Sequence, residues 1–106
     1  KIIILNKLRD EIIKTFKKDS DKVFSLIGTL KENPNKGKSL GFVGDINIKE
    51  LRYNTFRFYF ILNKNKLNLF NKGQIKELLI RFIDMSKKSN QQKTINKIKE
   101  ILKELD

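Results

Sequence analysis

The sequence has no cysteine and no histidine, and only one proline, in 106 residues. Without cysteine there are no disulfide staples, no thiolate nucleophile and no thiolate zinc site, and without histidine no imidazole can serve as acid, base or ligand. Most metalloenzyme and catalytic-triad chemistries are thereby excluded, and no metal or other cofactor is expected. No apolar run approaches the roughly 20 residues that span a bilayer, and Lys1 to Leu5 is too short for the hydrophobic core of a signal peptide. A soluble cytoplasmic protein with no membrane partner is the expectation. The chain opens on Lys rather than Met, which suggests a start residue absent from this numbering.

Acidic residues are also scarce: 12 Asp and Glu stand against 24 Lys and Arg, a formal net charge of +12. With 39% hydrophobic and 34% charged residues the composition is globular rather than disordered. The length suits one small core, hence a single domain over residues 1–106. Lys, Asn and Ile make up 46 of the 106 residues, so an AT-rich codon bias could supply part of the charge. Distribution argues for selection. Leu51 to Lys76 holds Arg52, Arg57, Lys64, Lys66, Lys72 and Lys76 with no acid, and Met85 to Lys99 holds five lysines with none. Two such stretches meeting in space would concentrate a polyanion, which makes a nucleic acid the first partner to consider and an acidic protein the second.

Lys1 to Leu5 reads as a short strand. Leu8, Ile12, Ile13 and Phe16 then make residues 7–18 an amphipathic helix with Asn6 as its cap. Asp19, Ser20 and Asp21 stop that helix and cap a second, striped by Val23, Phe24, Ile27 and Leu30. Asn33 to Gly44 carries the only proline and three of the five glycines, and reads as an irregular crossing loop. Ile46 to Tyr53 and Phe56 to Leu62, separated by Asn54-Thr55, predict a tight hairpin pairing Tyr53 with Phe56, Arg52 with Arg57, Leu51 with Phe58 and Glu50 with Tyr59. In that register Leu51, Phe56, Phe58 and Phe60 face the helices as core, rather than stacking on bases, while Glu50, Arg52, Arg57 and Tyr59 share the other face. Thr55 suits a type I′ turn poorly, so a three-residue loop that shifts the register is the alternative. Lys66 to Phe70 reads as another short strand and Asn71 to Gly73 as a turn. Residues 74–86 fit either a helical stripe or, from Leu79, a buried strand. Ile95, Ile98, Leu102 and Leu105 define a last amphipathic helix after Ser89-Asn90.

Like charges directly across an antiparallel pair are destabilising, so Arg52 opposite Arg57 needs a counter-ion or a function. Glu50 is the local counter-ion, and with it both guanidinium groups could fan out into water. The alternative is a preorganised fork for a phosphate, since Arg binds phosphate bidentately and the chain otherwise uses Lys.

The order strand, helical hairpin, Asn-Pro loop, then Glu50-Leu51-Arg52 followed by Phe56-Arg57-Phe58-Tyr59, resembles the RelE/ParE toxin superfamily. Met85-Ser86-Lys87-Lys88-Ser89-Asn90-Gln91-Gln92, running into the last helix, is similar to the strand-end segment of its phage-derived, HigB-like branch. The loop from Leu30 to Leu40 is similar to the one before the family's second strand. The resemblance implies an α+β fold of order β-α-α-β-β-β-α, an antiparallel sheet with the helical hairpin on one face and a C-terminal helix, and it selects strand for residues 79–86. It also implies a toxin of a type II toxin-antitoxin module, most members being endoribonucleases that cleave mRNA, often on the ribosome, while the ParE branch inhibits gyrase. The partners implied are an acidic antitoxin, mRNA and a ribosome, with DNA reached only through the antitoxin. Carried over by position, Arg52 and Arg57 match the two hairpin arginines, and Lys87 and Lys88 the basic segment after the last strand. Position 50 is Glu where some members carry Lys, and no Tyr follows Lys88.

Metal-independent cleavage can use the 2′-hydroxyl of RNA as nucleophile, which leaves the protein to orient it, stabilise the phosphorane and protonate the leaving oxygen. Arg52 and Arg57 would hold the scissile phosphate; Lys87, Lys88, Glu50 or Tyr59 would move the proton. Lys36, Lys38, Lys49 and Arg81 are candidates for further contacts to the RNA backbone, as is Tyr59.

Overall fold

Three isoleucines open the fold as strand β1 (Ile2–Ile4), where β-branched side chains suit a pleated surface. The structure, a computed structural model, describes residues 2–63 and 80–104. The strand expected at Lys66 to Phe70, the turn at Asn71 to Gly73 and positions 74–79 lie outside the described residues. Helix α1 (Asn6–Phe16) buries Leu8 and Ile12, and α2 (Ser20–Gly28) buries Val23 and Ile27, as their stripes predict. The caps differ from expectation. Leu5, not Asn6, holds the N-cap position of α1, and no side chain caps either helix. The break falls at Lys17, whose φ of 50° no α-helix continues through. Ser20 looks backwards: its buried hydroxyl donates to the Lys17 carbonyl at 2.6 Å, satisfying an acceptor at the break.

Strands β2 (Lys38–Val43), β3 (Ile46–Tyr53), β4 (Phe56–Asn63) and β5 (Ile80–Lys87) join β1 in one sheet of order β1-β5-β4-β3-β2. Two expectations are corrected here. Lys38–Val43 is a strand rather than part of an irregular loop, so the described order is β-α-α-β-β-β-β-α. The sheet is also mixed rather than antiparallel, because β1 runs parallel to β5. Connectivity explains the second point. Two antiparallel helices return the chain to the end of the sheet where β1 finished, so β2 runs against β1, and three antiparallel steps then leave β5 parallel to it. Glycine explains the first. Gly41, at φ 127°, lies at a bulge in the β2–β3 register, and the neighbouring Phe42 is 65% exposed, so no hydrophobic alternation marks the strand.

The β3–β4 hairpin has the predicted register, Tyr53 with Phe56 through Glu50 with Tyr59. Its loop is two residues, and of these only Asn54 has positive φ, at 52°. That is the sign pattern of type II′, which places no demand on Thr55 that a β-branched residue resists. Strand β5 lies between β1 and β4, so it is covered on both edges, and its apolar run feeds both faces of the sheet.

One face packs Leu51, Phe58, Phe60, Leu62, Phe82 and Met85 against the helical hairpin. Phe16 closes this layer at the hairpin end, 4.9 Å from Phe56 and 5.5 Å from Tyr53 between ring centroids. The phenylalanines of β4 are therefore core, as expected. The other face carries helix α3 (Gln91–Glu104), whose Ile95, Ile98 and Leu102 bury Ile48 and Tyr59. Each large side chain fully buried in these layers contributes roughly 1.5–3 kcal/mol. Among the described residues no helix is long and apolar enough to cross a membrane.

Candidate nucleic-acid interface

Directly opposed residues of an antiparallel pair share a face, so the hairpin register puts Arg52, Arg57, Glu50 and Tyr59 together on the α3 side. Lys38 joins them opposite Glu50 across β2–β3. The two arginines converge, and what lies between them is the Glu50 carboxylate. Arg52 Nε lies 3.6 Å from Glu50 Oε1, and Arg57 Nε lies 3.9 Å from Oε2. Gln91, at the start of α3, donates its side-chain N–H to Oε2. Both charged contacts exceed hydrogen-bond length, and Glu50 Oε1 and Arg57 Nε are buried without any hydrogen-bond partner.

The two arginines are in different environments. The Arg57 side chain is 5% exposed, and its Nη1 donates to the carbonyls of Asn54 and Phe56 at 3.3 and 3.1 Å. The Arg52 side chain is 62% exposed. An exposed ion pair is worth about 0–1 kcal/mol, whereas breaking a buried one by removing a partner costs about 3–5 kcal/mol. Arg52 is therefore the arm that can exchange Glu50 for another anion, and Arg57 is the arm that stays. The expectation that both guanidinium groups stand in solvent is corrected to one.

Tyr59 is fully buried. Its hydroxyl meets Ser86 Oγ at 2.8 Å, and Ser86 in turn donates to the Lys87 carbonyl, so the phenol is the donor of the first bond. Burial raises the phenol above its ordinary value, the Glu50 carboxylate adds to the rise, and the Ser86 bond and Arg57 oppose it. Tyr59 is thus a neutral support of the sheet, out of reach of a base or phosphate while α3 is seated.

Strand β5 does lie beside the hairpin, the condition for the Lys87-Lys88 segment to reach the site. The two lysines divide. Lys87 pairs with Phe56, which places it on the α1–α2 side, opposite to Arg57. Lys88 begins the turn into α3 and ties it to the hairpin loop, its backbone N–H donating to the Thr55 carbonyl at 2.9 Å. Both side chains are exposed. Lys49 is 7% exposed and on the far face from Glu50, its ammonium bonded to the Asn35 carbonyl at 3.1 Å and 5.8 Å from the Phe60 ring centroid. Lys36 donates to Thr29 Oγ1 at 3.2 Å. Arg81 is exposed and on the α3 side, yet five residues along β5 from the position opposite Arg57, roughly 17 Å away at strand rise. There it borders a cavity of about 380 Å³ between α1 and α3.

The structure thus gathers Arg52, Arg57, Lys38 and Tyr59 around Glu50, sets Lys88 at the rim, and leaves Lys49, Lys87, Lys36 and Arg81 elsewhere. Gln91 and Ser86 are the participants that sequence reasoning gave no role. Both fall within the segment singled out for its lysines, but neither helical period nor strand alternation distinguishes an inward amide from a solvated one. Comparison with family models, with curated proteins and with solved structures finds no match to this chain.

Proposed function

We propose that this chain is a RelE/ParE-like toxin of a type II toxin-antitoxin module that acts on mRNA as a metal-independent endoribonuclease. The observation that carries the reading is the convergence of Arg52 and Arg57 on one anion position, with Arg52 in solvent and Lys38 and Lys88 nearby. Arg52 grips the phosphate; Arg57, fixed by Glu50 and two carbonyls, sets the positive field behind it. Lys88 and Lys87, both exposed, are the groups available to move the proton, since Tyr59 is held neutral by burial. A net charge of +12 suits an acidic antitoxin as inhibitor and a ribosome as platform.

The test is incubation of the purified protein with an mRNA, with and without ribosomes, beside the Arg52→Ala variant. Cleavage that Arg52→Ala abolishes is expected; no cleavage in either condition ends the nuclease reading. A second reading, a non-cleaving ParE-like toxin or a homologue that keeps only antitoxin binding, is favoured by the burial of Arg57 against Glu50. Growth inhibition that survives Arg52→Ala would select it.

A further inference from the structure

We propose that Glu50 is a resident anion in the Arg52–Arg57 fork, an internal competitor that makes the site respond to a polyanion and not to a lone phosphate. This rests on the phosphate-binding reading given above and goes further in naming what already occupies the site and which ligand can replace it.

Three observations carry the inference. First, each guanidinium addresses a different oxygen of the same carboxylate, Arg52 toward Oε1 and Arg57 toward Oε2, which is how a fork receives a two-oxygen anion. Second, the fork is attracted but not saturated. Charge-assisted N–H···O bonds close to about 2.7–2.9 Å, whereas the separations here are 3.6 and 3.9 Å, and both Glu50 Oε1 and Arg57 Nε are buried without a hydrogen-bond partner. Third, only Arg52 is free to move, being 62% exposed where Arg57 is 5% exposed.

A tethered carboxylate acts at an effective concentration in the millimolar range, so a dilute monoanion does not displace it from Arg52. A single-stranded nucleic acid does, because neighbouring phosphates meet Lys38 and Lys88 as well and release counterions at each contact. Binding then transfers Arg52 from Glu50 to a phosphate, while Arg57 and Gln91 remain on the carboxylate.

The experiment measures binding of a short oligouridylate, and separately of inorganic phosphate, to wild type, Glu50→Gln, Arg52→Ala and Glu50→Gln/Arg52→Ala across salt concentrations. Glu50→Gln is expected to bind the oligouridylate about tenfold more tightly, with a log–log salt slope steeper by about 0.7 for the one cation set free on a single strand. It also gains phosphate binding that wild type lacks at the same concentration, and the double variant loses both gains. An affinity within about twofold of wild type in folded Glu50→Gln, or gains that persist in the double variant, overturns the inference. If Glu50→Gln fails to fold, Glu50→Asp, which withdraws the carboxylate from Arg52 but keeps its charge, is expected to give a smaller gain in the same direction, and no gain there refutes it equally. The two claims fail separately. Oligouridylate binding unaffected by Arg52→Ala removes the phosphate-fork reading itself, whereas Arg52-dependent binding that ignores Glu50 leaves that reading intact and removes only this one.

Discussion

Replacing Arg57 by methionine is expected to test the geometry of the site through stability alone, without any substrate. The guanidinium is 5% exposed and the facing Glu50 side chain is fully buried, so Arg57→Met leaves a buried carboxylate with only Gln91 and the distant, solvated Arg52 as company. Breaking one side of a buried ion pair costs about 3–5 kcal/mol, and the remaining partners place this case near the lower figure. Against a total stability of about 5–15 kcal/mol for a domain of this kind, that is a large fraction. With a urea m-value of about 1.5 kcal/mol/M, the midpoint falls by about 2 M. Arg52→Ala is the control. Its ion pair is exposed, worth under about 1 kcal/mol, and its midpoint moves by less than about 0.7 M. The double variant Glu50→Met/Arg57→Met removes both charges and their desolvation cost, so it is expected to be more stable than Arg57→Met alone. The assay is urea unfolding followed by far-UV circular dichroism. If Arg57→Met unfolds at the midpoint of Arg52→Ala, or if the double variant is no more stable than the single one, the contrast between a fixed and a movable arginine is wrong.

Tyr59 gives a pH test. Its phenol titrates above the ordinary 10.0, chiefly through burial, so below about pH 10 folded and unfolded chains both hold the proton. Above that the unfolded chain releases it first, the folded state binds more protons, and stability falls as pH rises. Tyr59→Phe therefore loses less stability than wild type between about pH 9.5 and 11.5 in urea titrations at each pH, and parallel losses would contradict the burial argument. Gly37 gives a steric one: at φ 103°, a Cβ would stand 2.9 Å from the Glu50 carbonyl oxygen and 2.9 Å from the Phe60 ring. Gly37→Ala is expected to cost roughly 1–3 kcal/mol of unfolding free energy, and a thermal midpoint equal to wild type would show that the approach to β2 is not constrained there.

The hairpin register was legible because a two-residue gap between alternating runs leaves little freedom, and the pairing of Arg52 with Arg57 follows from it. The helical stripes were legible for the same reason: one apolar side needs one period. Cap positions were not. Asn6 and Ser20 have the right chemistry, yet the backbone broke at Lys17 and began at Leu5, where tertiary packing of Leu8 and Phe16 decides. Strand β2 was hidden because edge strands need not alternate and its glycines imitate a loop. The fate of Glu50 was half legible. Its spacing from Arg52 names it as counter-ion, but nothing local says that the amide of Gln91, 41 residues on, would cover it.

Cross-strand symmetry makes Arg52 and Arg57 look equivalent, and topology makes them unequal. In the order β1-β5-β4-β3-β2, Arg57 belongs to the middle strand, where Ser86 of β5 flanks it on one side and Arg52 of β3 on the other. Strand β2 pairs with β3 from Val43 opposite Ile46 only as far as Lys38 opposite Glu50, so it stops two residues short of Arg52. Arg52 therefore stands on an interior strand at the one stretch where that strand becomes an edge. The same termination exposes Lys38 beside it and leaves Glu50 as the last acid covered by the sheet on both sides. A longer β2 would shield Arg52 from solvent and weaken the means of exchanging anions; a shorter one would let water reach Glu50 and loosen Arg57. The length of one glycine-interrupted edge strand thus decides which guanidinium holds the site together and which can leave it.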